Sequence, residues 1–280
     1  MLIILAVILI IILILMLDPI RKWYYLSYLR NRIFPFEINQ IKLSNIESNS
    51  HYHRIINACP TKPKPSELAF LIKYKMFVDD KRTYSMASKK KVDQMEKLVR
   101  TVCSDRIPGS IVETGVWKGG MAMWIKSILK YYHSDKKIWL FDVFDRFPEP
   151  VDQTDKYIHP ITSILFENAP TIQSVRDNFI HFNLYNNINL VKGLFEHTLE
   201  ITDTGSIAIL HLDSDYYDST LYVLRKMYDR ISIGGYVVID DYGNNWLACK
   251  KAVDEFRLER SITDKLFDLD SESVYWKKSR

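Results

Sequence analysis

From Ser110 to Lys278, short apolar runs alternate with helical patterns, and this alternation restricts the chain to a mostly parallel sheet with helices on both faces. The runs SIVETG (110–115), KIWLFD (137–142), INLVKG (188–193), SIAILHLDSD (206–215) and YVVIDD (236–241) read as five strands. Helical patterns cover 119–132, 172–182, about 219–230 and about 247–259, and a further one over 89–105 precedes the first strand and covers a sheet edge. The last two runs, 264–270 and 273–278, read as an antiparallel hairpin. The pattern predicts an α/β, Rossmann-like doubly wound sheet closed by a hairpin.

The composition is ordinary for one main core: 280 residues, 47% hydrophobic and 26% charged. A formal net charge of +4, with lysines spread along the chain, argues against nucleic acid as a partner. The one tight basic run, Ser88–Lys91, reads as a solvated face. Cys59, Cys103 and Cys249 lie too far apart for a disulfide framework or a zinc site and suit a reducing compartment.

The N-terminus departs from this picture. Leu2–Leu17 is an unbroken apolar run, about 24 Å long as a helix against a hydrocarbon core of roughly 30 Å. It lacks the charged start and small-residue cleavage site of a signal peptide. The expectation is a membrane anchor helix over residues 1–20, with Trp23, Tyr24 and Tyr25 at the interface; a buried core helix is the alternative. Arg21, Lys22, Arg30 and Arg32 follow the run and predict a cytosolic body. Residues 21–65 read as a juxtamembrane segment and linker, ending in the extended CPTKPKP (59–65), and residues 66–280 as the folded domain.

In open α/β sheets, ligands bind beyond the carboxyl ends of the strands, and unusual residues gather there. Glu113, Thr114 and Gly115 close the first strand, and Gly119 and Gly120 open the next helix. An acid-x-Gly turn before a helix N-terminus suits a ligand bearing both an ammonium and a carboxylate, although a tight structural turn would use the same glycines. Asp142 ends the second strand, where an acid accepts from ribose hydroxyls or caps a helix. Together Glu113 and Asp142 point to S-adenosylmethionine (SAM). Asp213 ends the fourth strand and Asp240 and Asp241 the fifth, about 4.8 Å away across the sheet. Converging carboxylates repel unless a cation neutralises them, and an all-oxygen set favours Mg²⁺ or a similar ion. The competing assignment gives one of them to the cofactor and another to a helix cap. His211 reads as a core histidine, and Asp218, Ser219 and Thr220 as N-caps of the helix that follows.

At these residues the sequence resembles the macrocin O-methyltransferase (TylF-type) family of SAM- and metal-dependent sugar O-methyltransferases. The likeness runs from about Arg82 to Arg257 through IPGSIVETGVWKGG, WLFDVFDRFPEP, VRDNF, GLFEHTL, LDSDYYDSTLYVLRKMY and GGYVVIDDYG…CKKAVDEFR. The resemblance implies a class I methyltransferase fold and Mg²⁺ held by Asp213, Asp240 and Asp241, with Asp213 as general base. It also implies SAM against Glu113, Gly115 and Asp142, with Tyr84, Ser85 and Met86 near its methionine end. His197 and His211 depart from the family's usual residues. The partner implied is a hydroxyl-bearing sugar or glycan, with a homo-oligomer left open. Two alternatives stand beside this reading: a membrane-anchored glycosyltransferase using Asp213-x-Asp215, and a tethered binding module that has lost turnover.

Overall fold

The computed structural model describes residues 24–34, 41–42, 49–243 and 248–280. Seven strands form one sheet: β1 (Ser110–Thr114), β2 (Ile138–Asp142), β3 (Ile188–Lys192), β4 (Ile207–Leu212), β5 (Ile231–Ile239), β6 (Phe267–Asp268) and β7 (Val274–Lys277). Their order is β3-β2-β1-β4-β5-β7-β6, with β1 to β5 parallel and β7 antiparallel to both β5 and β6. The chain reverses its direction of winding at β1 and β4, so the β1 and β4 tips flank the crevice where such sheets bind ligands.

The central strands are unbroken apolar runs because helices cover both faces. Ile111, Leu140, Ile209 and Val238 pack on one face, against α4 (Lys89–Ser104), α5 (Gly120–Tyr131) and α7 (Ile172–His181). Val112, Phe141, Leu210 and Val237 pack on the other, against α8 (Phe195–Ile201), α9 (Tyr217–Met227) and α10 (Cys249–Glu259).

A helical cap lies over the carboxyl ends of the strands, built from α2 (Tyr52–Ala58), α3 (Pro65–Asp79) and α6 (Gln153–Leu165). It has its own core of Ile55, Leu68, Ile72, Ile158, Ile161 and Leu165. Lys118 Nζ ties it to the sheet by donating to the Val78 and Asp80 carbonyls at 2.7 and 3.0 Å. The buried Asp155 carboxylate of α6 accepts from the Tyr217 and Ala248 amides at 2.7 and 3.0 Å, holding the starts of α9 and α10. That is the job expected of Asp218–Thr220. Instead, Asp218 accepts from the Val151 and Asp152 amides at 2.9 and 3.1 Å, and α9 has no side-chain cap of its own.

The N-terminal expectation is corrected. Among the described residues no helix is long and apolar enough to cross a membrane, and Leu2–Leu17 lie outside the described residues. The described part of helix α1, residues 24–33, belongs to the protein core. Its Leu29 and Ile33 are 3% and 0% exposed and pack in the main cluster, with Tyr25 and Leu26 against it. The single-pass anchor is therefore withdrawn, and with it the cytosolic placement of the body that was inferred from it.

Candidate active site

The crevice between the β1 and β4 tips gathers most of the residues expected to carry chemistry. Asp213 follows β4, its amide donating to the Thr114 carbonyl at 2.8 Å, and Asp240 follows β5, its amide donating to Leu212 at 2.9 Å. Glu113 pairs with His211 across β1–β4, and His211 with Val238 across β4–β5. By strand alternation Glu113, His211 and Asp240 share the face that α4 covers. His211 Nδ1 lies 3.4 Å from Glu113 Oε1 and its Nε2 3.7 Å from Asp240 Oδ1, ion-pair rather than hydrogen-bond separations. Burial lowers the His211 pKa, yet Asp240 and Glu113 outweigh it and bring the ring up to about 9. The ring is thus flanked by a carboxylate on each side, with Asp213 and Asp215 in the loop that follows.

The carboxylates divide into two kinds. Asp240 Oδ1 receives the Lys91 ammonium at 2.6 Å and the Ser273 hydroxyl at 3.1 Å. Burial pushes its pKa up, but Lys91 and His211 dominate and hold it well below the usual carboxylate range. Asp213 is the opposite: burial, then the charges of Asp240, Asp241 and Asp215, raise it well above that range. Asp215 is raised by burial and by Asp241, with which it shares a hydrogen bond. One ligand atom each of His211, Asp213 and Asp240 lies within 4.8 Å of the others. Of the three expected ion ligands, Asp213 and Asp240 thus converge directly, and the charge of Asp241 acts on both Asp213 and Asp215.

The glycine turn is built against these groups. A Cβ on Gly115, whose φ is +82°, would fall 1.7 Å from the Asp213 carbonyl oxygen, and one on Gly120 would fall 2.3 Å from the Tyr84 carbonyl oxygen. Both glycines are therefore required by close approach of protein backbone; the turn is locked to Asp213 on one side and to Tyr84–Ser85 on the other. Gly119, at φ +84°, faces the Phe179 ring. The Gly120 amide donates to the Tyr84 carbonyl at 2.9 Å, which places Ser85 and Met86 beside the start of α5. Asp142, expected at a ribose, accepts from the Val116 and Trp117 amides at 2.7 and 3.1 Å and from Phe144 at 2.7 Å, closing the turn after β1. Trp117 and Phe144 hold positive φ of 47° and 44°, strained for these residue types, in the loops after β1 and β2, and Asp215 after β4 holds 59°, which aspartate tolerates. Such strain, on the order of 1–3 kcal/mol per residue, gathers at functional sites.

The donor set fits both absent groups. Glu113 is 2% exposed, and its Oε2 has no hydrogen-bond partner among the described residues, as an acceptor for an ammonium requires. Asp213 and Asp215, both half-buried, are crowded by like charge, as a divalent-ion site requires.

Three site residues were missed in the sequence. Lys91 was assigned to a solvated run, yet it is buried; its place on the α4 face shared with Met95, Leu98 and Val102 is the signal that marks it. Asp215 was read only within an Asp-x-Asp motif. Tyr74 of α3 is raised by burial and by the charges of Asp215, Asp241 and Asp213, so its phenol looks onto the acidic centre; its hydroxyl donates to Met86 Sδ at 3.1 Å. The other candidate, His197, is exposed on α8.

Known proteins give independent bearings. The family model described as macrocin-O-methyltransferase (TylF) matches residues 75–278. An enzyme of Streptomyces olivaceus named 8-demethyl-8-(2,3-dimethoxy-alpha-L-rhamnosyl)-tetracenomycin-C 4'-O-methyltransferase is 34% identical over 203 residues, covering 69% of this chain and 75% of its own. The demethyldecarbamoylnovobiocin O-methyltransferase of Streptomyces niveus is 33% identical over 206 residues, covering 70% and 76%. The solved structure of the O-methyltransferase NovP superposes with a TM-score of 0.71 at 27% identity, over 92% of this chain and all of that one.

Proposed function

This chain belongs to the macrocin O-methyltransferase (TylF) family, and from that premise we propose that it methylates a hydroxyl on a sugar-bearing acceptor, using SAM and a divalent ion at the β1–β4–β5 strand tips. The observation that carries the reading is the convergence of half-buried Asp213 with buried Asp240 beside a glycine turn whose Glu113 has an oxygen without a partner among the described residues. The sugar is supported by the relative from Streptomyces olivaceus, whose name specifies a rhamnosyl group. The Asp213-x-Asp215 pair belongs to the same acidic centre as Asp241, so the glycosyltransferase alternative has nothing left to rest on.

When bound, SAM supplies an electrophilic methyl group and the ion supplies positive charge beside the acceptor oxygen. Asp213 would accept the proton of the acceptor hydroxyl, whose oxygen would take the methyl group that SAM supplies, so that a methyl ether and S-adenosylhomocysteine would be the products. Asp240 and Asp241 would hold the ion with Asp213, and Asp240 itself is fixed by Lys91 and Ser273. Glu113 Oε2 would take the cofactor's ammonium, while Gly115, Gly119 and the Thr114 carbonyl set the path of the turn around it. Ser85 and Met86 close the methionine end, and Asp142 shapes the loop on which the nucleoside rests.

The test is Asp213→Asn. Turnover should fall by about 10²–10⁴, with SAM affinity by calorimetry near that of the wild type, and excess chelator should abolish wild-type turnover. Activity retained in the variant, or in chelator, would falsify the mechanism.

A further inference from the structure

The acidic centre already contains a cation of its own. Lys91 reaches from α4 across the sheet face to Asp240 Oδ1 at 2.6 Å, and it is 8% exposed. A lysine is seldom buried this far without a functional or structural partner. The groups around Asp240 come from four segments: Lys91 from α4, His211 from β4, Asp213 from the β4 tip, and Ser273 from the start of the hairpin's last strand. Of the carboxylates at the strand tips, Asp240 is the one that holds the Lys91 ammonium.

We propose that Lys91 is a resident counter-ion of the ion site: it occupies one oxygen of Asp240, holds that carboxylate in place without an ion, and weakens the attraction of the cluster for a divalent cation. This deepens the proposed function and rests on its ion site. Two consequences follow from the geometry. With Oδ1 engaged by Lys91 and Ser273, Asp240 has Oδ2 to offer an incoming ion, so the ion is drawn toward Asp213 and the Asp215–Asp241 side. The Lys91 ammonium also stays beside the ion position, where its charge opposes that of an incoming cation.

The experiment measures Mn²⁺ affinity by electron paramagnetic resonance, and melting temperature with and without Mn²⁺, on the full chain as wild type, Lys91→Met, Lys91→Gln and Lys91→Arg. Removing the charge should tighten Mn²⁺ binding by about tenfold in both neutral variants. Both should melt lower than wild type without ion and recover in saturating Mn²⁺, because the ion replaces the missing charge. Lys91→Arg should match the wild type. Neutral variants that bind Mn²⁺ no tighter than wild type, that do not recover with it, or that fail to fold even in saturating Mn²⁺, would overturn the role of Lys91. A wild type that binds no Mn²⁺ would instead overturn the ion site itself.

Discussion

Gly115 shows how closely individual residues are specified at the strand tips. Its positive φ excludes most side chains, and its neighbour across β1–β4 is the carbonyl of Asp213, the proposed base. Gly115→Ala should cost about 3 kcal/mol or more in denaturant unfolding, because a backbone carbonyl cannot rotate away as a flexible side chain would. A stable alanine variant would mean that the turn does not sit where the structure has it. Neighbouring acids were legible as residues, since an apolar run ending in Asp240 and Asp241 signals a strand tip. Their partners were not. That Asp240 meets Lys91 and Asp241 meets Asp215 depends on how α4 and the β4 loop pack, which no local pattern records.

At the scale of elements, the five parallel strands and the closing hairpin were readable, because strands buried on both faces keep unbroken apolar runs. The cap was not. Helix α3 is apolar on several sides, with Phe70 exposed and Leu71, Ile72 and Phe77 buried, so it shows no clean face; α6 carries Pro160 within it. Both helices depend on each other and on α2 for burial. They are also joined by charge: Arg54 of α2 pairs with Glu167 just beyond α6, and the fully buried Lys75 of α3 lies 3.3 Å from Glu167 and 2.8 Å from Asp79. Hydrogen bonding from Arg54, then Lys75, holds the Glu167 carboxyl down to about 2, against an ordinary 4.5. A carboxylate depressed in the folded state stabilises fully above the higher value, and that stabilisation is lost as pH falls toward the lower one. Wild type should therefore lose stability across roughly pH 4.5 to 2 more steeply than Glu167→Gln, with the variant lower by about 1 kcal/mol at neutral pH after solvent screening. Thermal melts across that range measure it, and identical acid limbs would show that the cap is held by its apolar core alone.

For the molecule as a whole, the N-terminal segment is where sequence pattern misled most. An apolar run followed by basic and aromatic residues matches a membrane-interface pattern, yet Leu29 and Ile33 belong to the same core as α4 and α5. Arg30 likewise pairs with Asp93 of α4 at 2.6 Å. Ile33→Ala should lower the stability of the folded protein by about 2–4 kcal/mol, whereas a segment merely lying on a lipid surface would leave it unchanged in detergent-free buffer. Most of the fold was legible because one alternating pattern governs it. Its joints, the cap and α1, came from tertiary packing.

The central claim is that an ion and a methyl donor lie side by side at the strand tips, and the proton resonance of the SAM S-methyl group reports on this directly. With Mn²⁺ in place of Mg²⁺, the wild-type complex should show that resonance severely broadened, and Asp213→Asn combined with Asp241→Asn should restore it. A resonance as sharp with bound Mn²⁺ as with Mg²⁺ would contradict the account.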